Sequence, residues 1–154
     1  MTGPNPTDRG KSGTKRSVHT EGGGIPIGLV VAGANRPDMK LLRETMAATV
    51  IPRPQPIAGA LQNLSLDKGY DYAECHEAVA EAGYTPHIRS QKEERTAKRR
   101  EPGYKARRWV VERALSWINR FRKVLIRFET LTATHYALLC LACAYIAFKR
   151  ADLL

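Results

Sequence analysis

The chain has 154 residues, 43% of them hydrophobic, with 25 Lys+Arg against 15 Asp+Glu and a formal net charge of +10. That is enough for one domain with a real core. Three cysteines, an odd number without framework spacing, exclude a disulfide-stapled secreted scaffold and point to a reducing compartment, the cytoplasm.

Residues 1–13, broken by Gly3, Pro4, Pro6, Gly10 and Gly13, are an irregular lead-in, and residues 14–154 form the domain. This polar start does not resemble a signal peptide. Strands are expected over Thr14–Thr20 and Ile25–Ala34, joined by the flexible Glu21-Gly22-Gly23-Gly24 connection. The run Ile27–Ala32 is apolar throughout and so belongs inside a sheet. Pro37-Asp38 opens a helix to about Ala48, and Pro52, Pro54 and Pro56 mark a loop. Leu61–Leu66 is a short strand ending at Asp67; Tyr72–Ala82 is a helix stopped by Gly83, and Tyr84–Ile88 another strand. Arg89–Gly103 has no apolar period and fits either a mobile loop or an exposed helix. Long helices are expected over Arg107–Leu125 and Thr134–Lys149. The apolar run Tyr136–Phe148 is shorter than the ~20 residues of a membrane span. The order predicts an α/β domain with a mixed sheet flanked by helices. In such sheets ligands gather at the carboxyl ends of strands, where Asp67 falls.

The positive charge is concentrated. Arg89–Arg127 holds 14 basic and 4 acidic residues, and the remainder is balanced. A basic block on a neutral domain suggests contact with nucleic acid or an anionic membrane. Within it, Val111, Ala114 or Leu115, Ile118, Phe121 and Leu125 recur at helical spacing as the buried stripe. Arg108, Glu112, Asn119 and Lys123 lie on an adjoining face. Taken alone, Glu112 reads as an i,i+4 ion pair with Arg108. Coupled with Asp67 it reads as half of a divalent-metal site, since two carboxylates from different elements are the minimum for Mg²⁺. Asp71 directly precedes a helix and is assigned to capping instead.

Leu66-Asp67-Lys68-Gly69-Tyr70-Asp71 resembles the second-aspartate motif of bacterial insertion-sequence transposases of the DDE type. Arg108-Trp109-Val110-Val111-Glu112-Arg113, continuing through Ser116-Trp117-Ile118-Asn119-Arg120-Phe121-Arg122, is similar to their glutamate motif. Gly3–Gly13 and Val31–Arg36 also resemble the insertion-sequence-five family, so that the likeness spans essentially the whole chain. It implies a ribonuclease-H-like fold in which three acids hold two divalent metals, Mg²⁺ or Mn²⁺, for phosphodiester cleavage and strand transfer. By that resemblance Asp67 is the second acid and Glu112 the third. Arg108, Arg113, Arg120, Arg122 and Lys123 are the implied DNA contacts. A lysine of related transposases is replaced by Asn119, with Lys123 or Arg122 as substitutes. The family's first aspartate ends a strand upstream of the Gly-Pro-Asn-Pro stretch in which Met1 stands. The expectation is therefore a C-terminal portion lacking that acid and its central strand, inactive alone. The implied partners are DNA (terminal inverted repeats and target) and a second copy or an upstream-frame product, with no membrane. The alternative is a non-catalytic fragment that binds DNA or pairs with transposase and dampens transposition.

Other signals are weaker. Arg9-Gly10-Lys11-Ser12 lacks the first glycine of a P-loop, where Asn5 stands, and is rejected as one. Cys140-x-x-Cys143 on an apolar helix reads as two small buried thiols. His19, His76, His87 and His135 do not cluster in sequence. Trp109 and Trp117 lie nearly on one helix face and are assigned to core packing, with base stacking as the alternative. The final helix is either core cover or a dimer face.

Overall fold

The structure, a computed structural model, describes residues 2–55, 57, 59–88, 91–100 and 109–151. Within the expected irregular lead-in, Gly3–Pro4 forms a two-residue strand, β1, on Ser12–Gly13. The expected hairpin is β2 (Ser12–Thr20) antiparallel to β3 (Pro26–Gly33), in register from Thr14↔Gly33 to His19↔Gly28. Glu21 shapes its turn, its carboxylate accepting from the backbone N–H groups of Gly23 (2.6 Å) and Ile25 (2.9 Å).

The two faces of this hairpin follow the period of two. On one face Ser17 meets a helix through Thr45 Oγ1 (2.7 Å), and His19 meets Thr49 Oγ1 (2.9 Å) just past its end. That helix is α1 (Leu42–Ala47), entered through a 3-10 turn at Asp38–Leu41 that replaces the first turn of the expected helix. Gly28 lets it sit close: a Cβ there would lie 3.0 Å from the Thr45 carbonyl oxygen. Val18, Leu29 and Val31 belong to a core on the opposite face, beneath α4 (Trp109–Ile118), α5 (Arg122–Leu125) and α6 (Thr132–Arg150). The hairpin is thus the middle layer between α1 and the C-terminal helices.

Strand β4 (Asn63–Leu66) pairs in parallel with β5 (Thr85–Ile88), and α2 (Ala73–Glu81) makes the crossover. Arg53 closes the end of α2 by donating to the carbonyls of Ala82 (2.5 Å) and Gly83, with its guanidinium 4.1 Å from the centre of the Tyr84 ring. Leu64, Cys75, Ala78 and Val79 join Leu42 of α1 in a second core. The α/β class stands, but two sheets form where one mixed sheet is expected. Among the described residues β2 has β3 on one edge and only two-residue β1 on the other, while β4 pairs with β5 alone.

The charged stretch after β5 forms α3 (Gln91–Arg100), the helical alternative of the two the charge pattern allows. The expected Arg107–Leu125 helix breaks at Asn119–Phe121 into α4 and α5. Of its expected buried stripe Ala114 and Ile118 do face the core, but Val110 is buried there in place of Val111, and Val111 and Leu125 are exposed. The break lets α5 turn Val124 inward instead of Leu125. Cys75 and Cys143 are sequestered as thiols, burial pushing Cys143 up to about 11, whereas Cys140 is exposed rather than buried. With 19 residues, α6 is long and apolar enough to cross a membrane by length and composition, which the shorter run in the sequence does not suggest. Here His135, Leu139, Ala142 and Ile146 anchor it in the core.

A buried histidine, His135, and a half-buried one, His19, predict acid sensitivity. Burial lowers the pKa of His19, and burial followed by Arg127 lowers that of His135. Arg16, reaching from β2, lowers His135 further, and Glu129, 3.7 Å away, opposes. Both rings are therefore held neutral in the fold, whereas in the unfolded chain they protonate near pH ~6.5. Their contribution to stability is full above about pH 6.5 and declines as pH falls toward the lower folded values. The urea midpoint is expected to drop between pH 7.5 and 5.5. His135→Gln should reduce that drop; an unchanged pH profile in this variant would remove His135 from the explanation.

Candidate functional site

Asp67 ends β4 and is exposed. It caps a 3-10 turn at Lys68–Tyr70, its side chain accepting from Lys68 N (2.5 Å). Asp71 does not cap α2, which has Tyr72 at its N-cap and no side-chain cap. Instead its two oxygens bind Lys68 Nζ (2.5 Å) and His76 Nε2 (2.9 Å), and these bonds hold its carboxyl below the usual range. Tyr70 packs behind the pair. Burial pushes its phenol up to about 12, with smaller contributions from Asp38, Cys75 and Asp67. Asp38 in turn pairs with Lys15 Nζ (3.2 Å) near the start of β2. Asp67 therefore belongs to the end of the domain where β2 begins and β3 finishes.

Glu112 lies in the first turn of α4, also exposed. Its neighbours anchor the helix to the other end of the hairpin. The Arg113 guanidinium donates to the Gly23 carbonyl and lies 4.3 Å from the Trp109 ring centre and 4.9 Å from that of Trp117. Gly24, at φ +90, leaves room for this contact. A Cβ there would lie 3.1 Å from Arg113 Nε and 3.3 Å from the Val110 carbonyl oxygen. Helix α4 then runs back along β2, so that Asn119 meets Arg16. The Asp38–Lys15 pair and the Arg113 contact with Gly23 lie toward opposite ends of β2, whose stretch from Lys15 to Thr20 is about 17 Å at the usual rise. Among the described residues no group of three or more His, Cys, Asp and Glu could hold a metal ion.

The cations divide into two kinds. Arg120, Arg122 and Lys123 are exposed around the bend between α4 and α5. Arg113 is half-buried and engaged in fixing α4 between two tryptophans and the hairpin turn. Arg108 lies outside the described residues, as does the rest of 101–108.

Sequence reading missed Arg16. Its Nη2 donates to Asn119 Oδ1 (2.8 Å), and burial lowers its pKa. A lysine at position 119 would set a second cation against this guanidinium, whereas asparagine supplies an acceptor. The alternation of β2 places Arg16 and Val18 on one face, but no local signal connects residue 16 with a helix 103 positions away. Arg150, 4.4 Å from the Trp117 ring centre, was equally invisible; it ties the end of α6 to α4.

The family described as transposase DDE domain matches residues 2–147. The chain is similar to a putative transposase for insertion sequence element IS402 from Burkholderia cepacia. The two are 35% identical over 158 residues, covering 98% of this chain and 72% of the relative. No solved structure matches.

Proposed function

The chain belongs to the transposase DDE domain family, whose work is DNA transposition, and on that premise we propose that it contributes DNA binding to that process without cutting DNA by itself. The observation that carries this reading is the exposed group Arg120, Arg122 and Lys123 at the α4–α5 bend, inside a segment that holds the whole net charge of the chain. Duplex DNA presents closely spaced phosphates, and each one neutralised by Lys or Arg releases counterions. Three cations on one bend suit that backbone and need no metal to do so. The ligands in this reading are the terminal inverted repeats and target DNA, met in the cytoplasm.

Asp67 and Glu112 remain the proposed second and third acids of a ribonuclease-H-like strand-transfer site, on the strength of their motifs. A divalent ion, Mg²⁺ or Mn²⁺, would there polarise the phosphodiester. No chemical step is assigned to them on this chain. The first acid would come on a strand from an upstream-frame product or a longer chain. Among the described residues β2 beyond Gly13 and β4 each have one strand neighbour, and the other edge of each offers backbone groups for such pairing. The second reading, a fragment that pairs with transposase and dampens transposition, draws on the same edges.

Fluorescence anisotropy with a labelled duplex tests the proposal. Binding should be equal in EDTA and in Mg²⁺, and log K should fall with log salt at a slope of about −3 or steeper. Binding that needs Mg²⁺, or that ignores salt, would defeat it.

A further inference from the structure

Helix α3 has no side to bury. Its sequence contains no apolar residue larger than alanine, and its described side chains Lys92, Glu93, Thr96, Arg99 and Arg100 are all exposed. A helix so short is marginal in water without tertiary support, and one that is polar all round needs charge pairs or a partner to hold it. Along the axis its charges suit a helix, with Glu93 and Glu94 near the start and Lys98, Arg99 and Arg100 at the end. Around the axis they are one-sided. At about 100° per residue, positions 92, 95, 98 and 99, filled by Lys, Arg, Lys and Arg, fall within an arc of about 120°. Like charges three and four residues apart weaken a helix unless an anion covers them.

Glu93 tells which way the helix is turned. The pKa of Lys68 is raised, first by its hydrogen bond to Asp71 and further by the charges of Asp71 and Glu93. Position 93 therefore belongs to the side of α3 toward Lys68, the neighbour of Asp67. It lies about 160° from the middle of the cationic arc, which is left on the side away from Lys68. We propose that α3 is a second DNA contact, its cationic arc lying along the phosphate backbone of a duplex at the Asp67 end of the domain. The inference rests on the reading that the chain binds DNA and adds to it an element other than the α4–α5 bend.

The chemistry of the arc selects this occupant. A helix that lies on a membrane needs an apolar face to insert, and α3 has none. A protein interface centres on aromatic or apolar anchors, which α3 also lacks. Cations alone, spread over about 10 Å from position 92 to position 99, suit a row of closely spaced phosphates.

Anisotropy with a labelled duplex tests it on the whole chain. Replacing Lys92, Arg95, Lys98 and Arg99 together by alanine should lower affinity by about two orders of magnitude near 0.1 M salt. The salt slope should flatten by about 3.6, four contacts at about 0.9 counterion each. Alanine favours the helix, so the loss cannot come from unfolding α3, and the urea midpoint should not move. In a Cys140→Ser background, a photo-cross-linker on Arg99→Cys should capture the duplex, and the same group on Glu93→Cys should not. A parent chain that binds the duplex while the alanine variant keeps its affinity and slope would overturn this inference and leave the DNA-binding reading standing. A parent chain that does not bind the duplex would overturn both. Equal cross-linking from positions 93 and 99 would also contradict the proposal. So would unchanged DNA binding with lost binding of polyglutamate, which would assign the arc to an acidic protein.

Discussion

Replacing Arg120, Arg122 and Lys123 together by alanine should lower affinity for duplex DNA by about two orders of magnitude near 0.1 M salt and flatten the salt slope by about 2.7. Both figures follow from removing three phosphate contacts at about 0.9 counterion each. The variant separates binding from folding, because all three side chains are exposed and such changes usually move stability by less than about 0.5 kcal/mol. Arg113→Ala should behave in the opposite way. Its guanidinium holds the Gly23 carbonyl and two indole rings, so its loss should loosen α4 and leave the salt slope nearly unchanged. Anisotropy titrations at several salt concentrations, with urea unfolding of the same samples, distinguish the two. An Arg113→Ala variant that is fully stable and loses a unit of slope would return this arginine to the DNA-contacting group.

Ile118→Ala should destabilise the chain by about 2–5 kcal/mol, a large part of the ~5–15 kcal/mol that holds a domain of this size. Ile118 is wholly buried among Leu29, Val124, Leu139, Ala142 and Ile146, where β3, α5 and α6 converge on the last turn of α4. A cavity there cannot close without moving one of those elements. The next residue, Asn119, accepts from Arg16, so a shift of this turn would also expose a guanidinium that the fold has largely desolvated. Val111→Ala, on the exposed side of the helix, should change stability little. Urea midpoints measured at constant m-value test both. Equal losses at the two positions would show that the face of α4 is assigned wrongly.

Much of the scaffold is legible in the residues. The apolar run of β3 and the three-glycine turn before it announce a hairpin, and Gly83 marks the end of α2. In α4 the sequence marks Ala114 and Ile118 as buried but not which of the two valines before them joins the core. Val110 and Val111 are equally apolar, and only the docking of Arg113 against the turn decides which of them faces inward. The break after Ile118 depends likewise on a partner far away in sequence, since Asn119 is occupied by Arg16. Local propensity carries no record of such contacts. The two acids show the same limit. Their motifs are readable as short strings, but which end of the hairpin each element reaches is set by contacts distant in sequence. Asp67 follows its strand to the end beside Asp38, while Gly24 and Arg113 hold the start of α4 at the other.

Incubation of the chain with supercoiled DNA and Mg²⁺ tests most directly the proposal that it binds DNA without cutting it. The plasmid should be retarded on a gel and stay supercoiled, because Asp67 and Glu112 are only two of the three acids that the proposed strand-transfer site requires. Robust nicking that Asp67→Asn abolishes would contradict it.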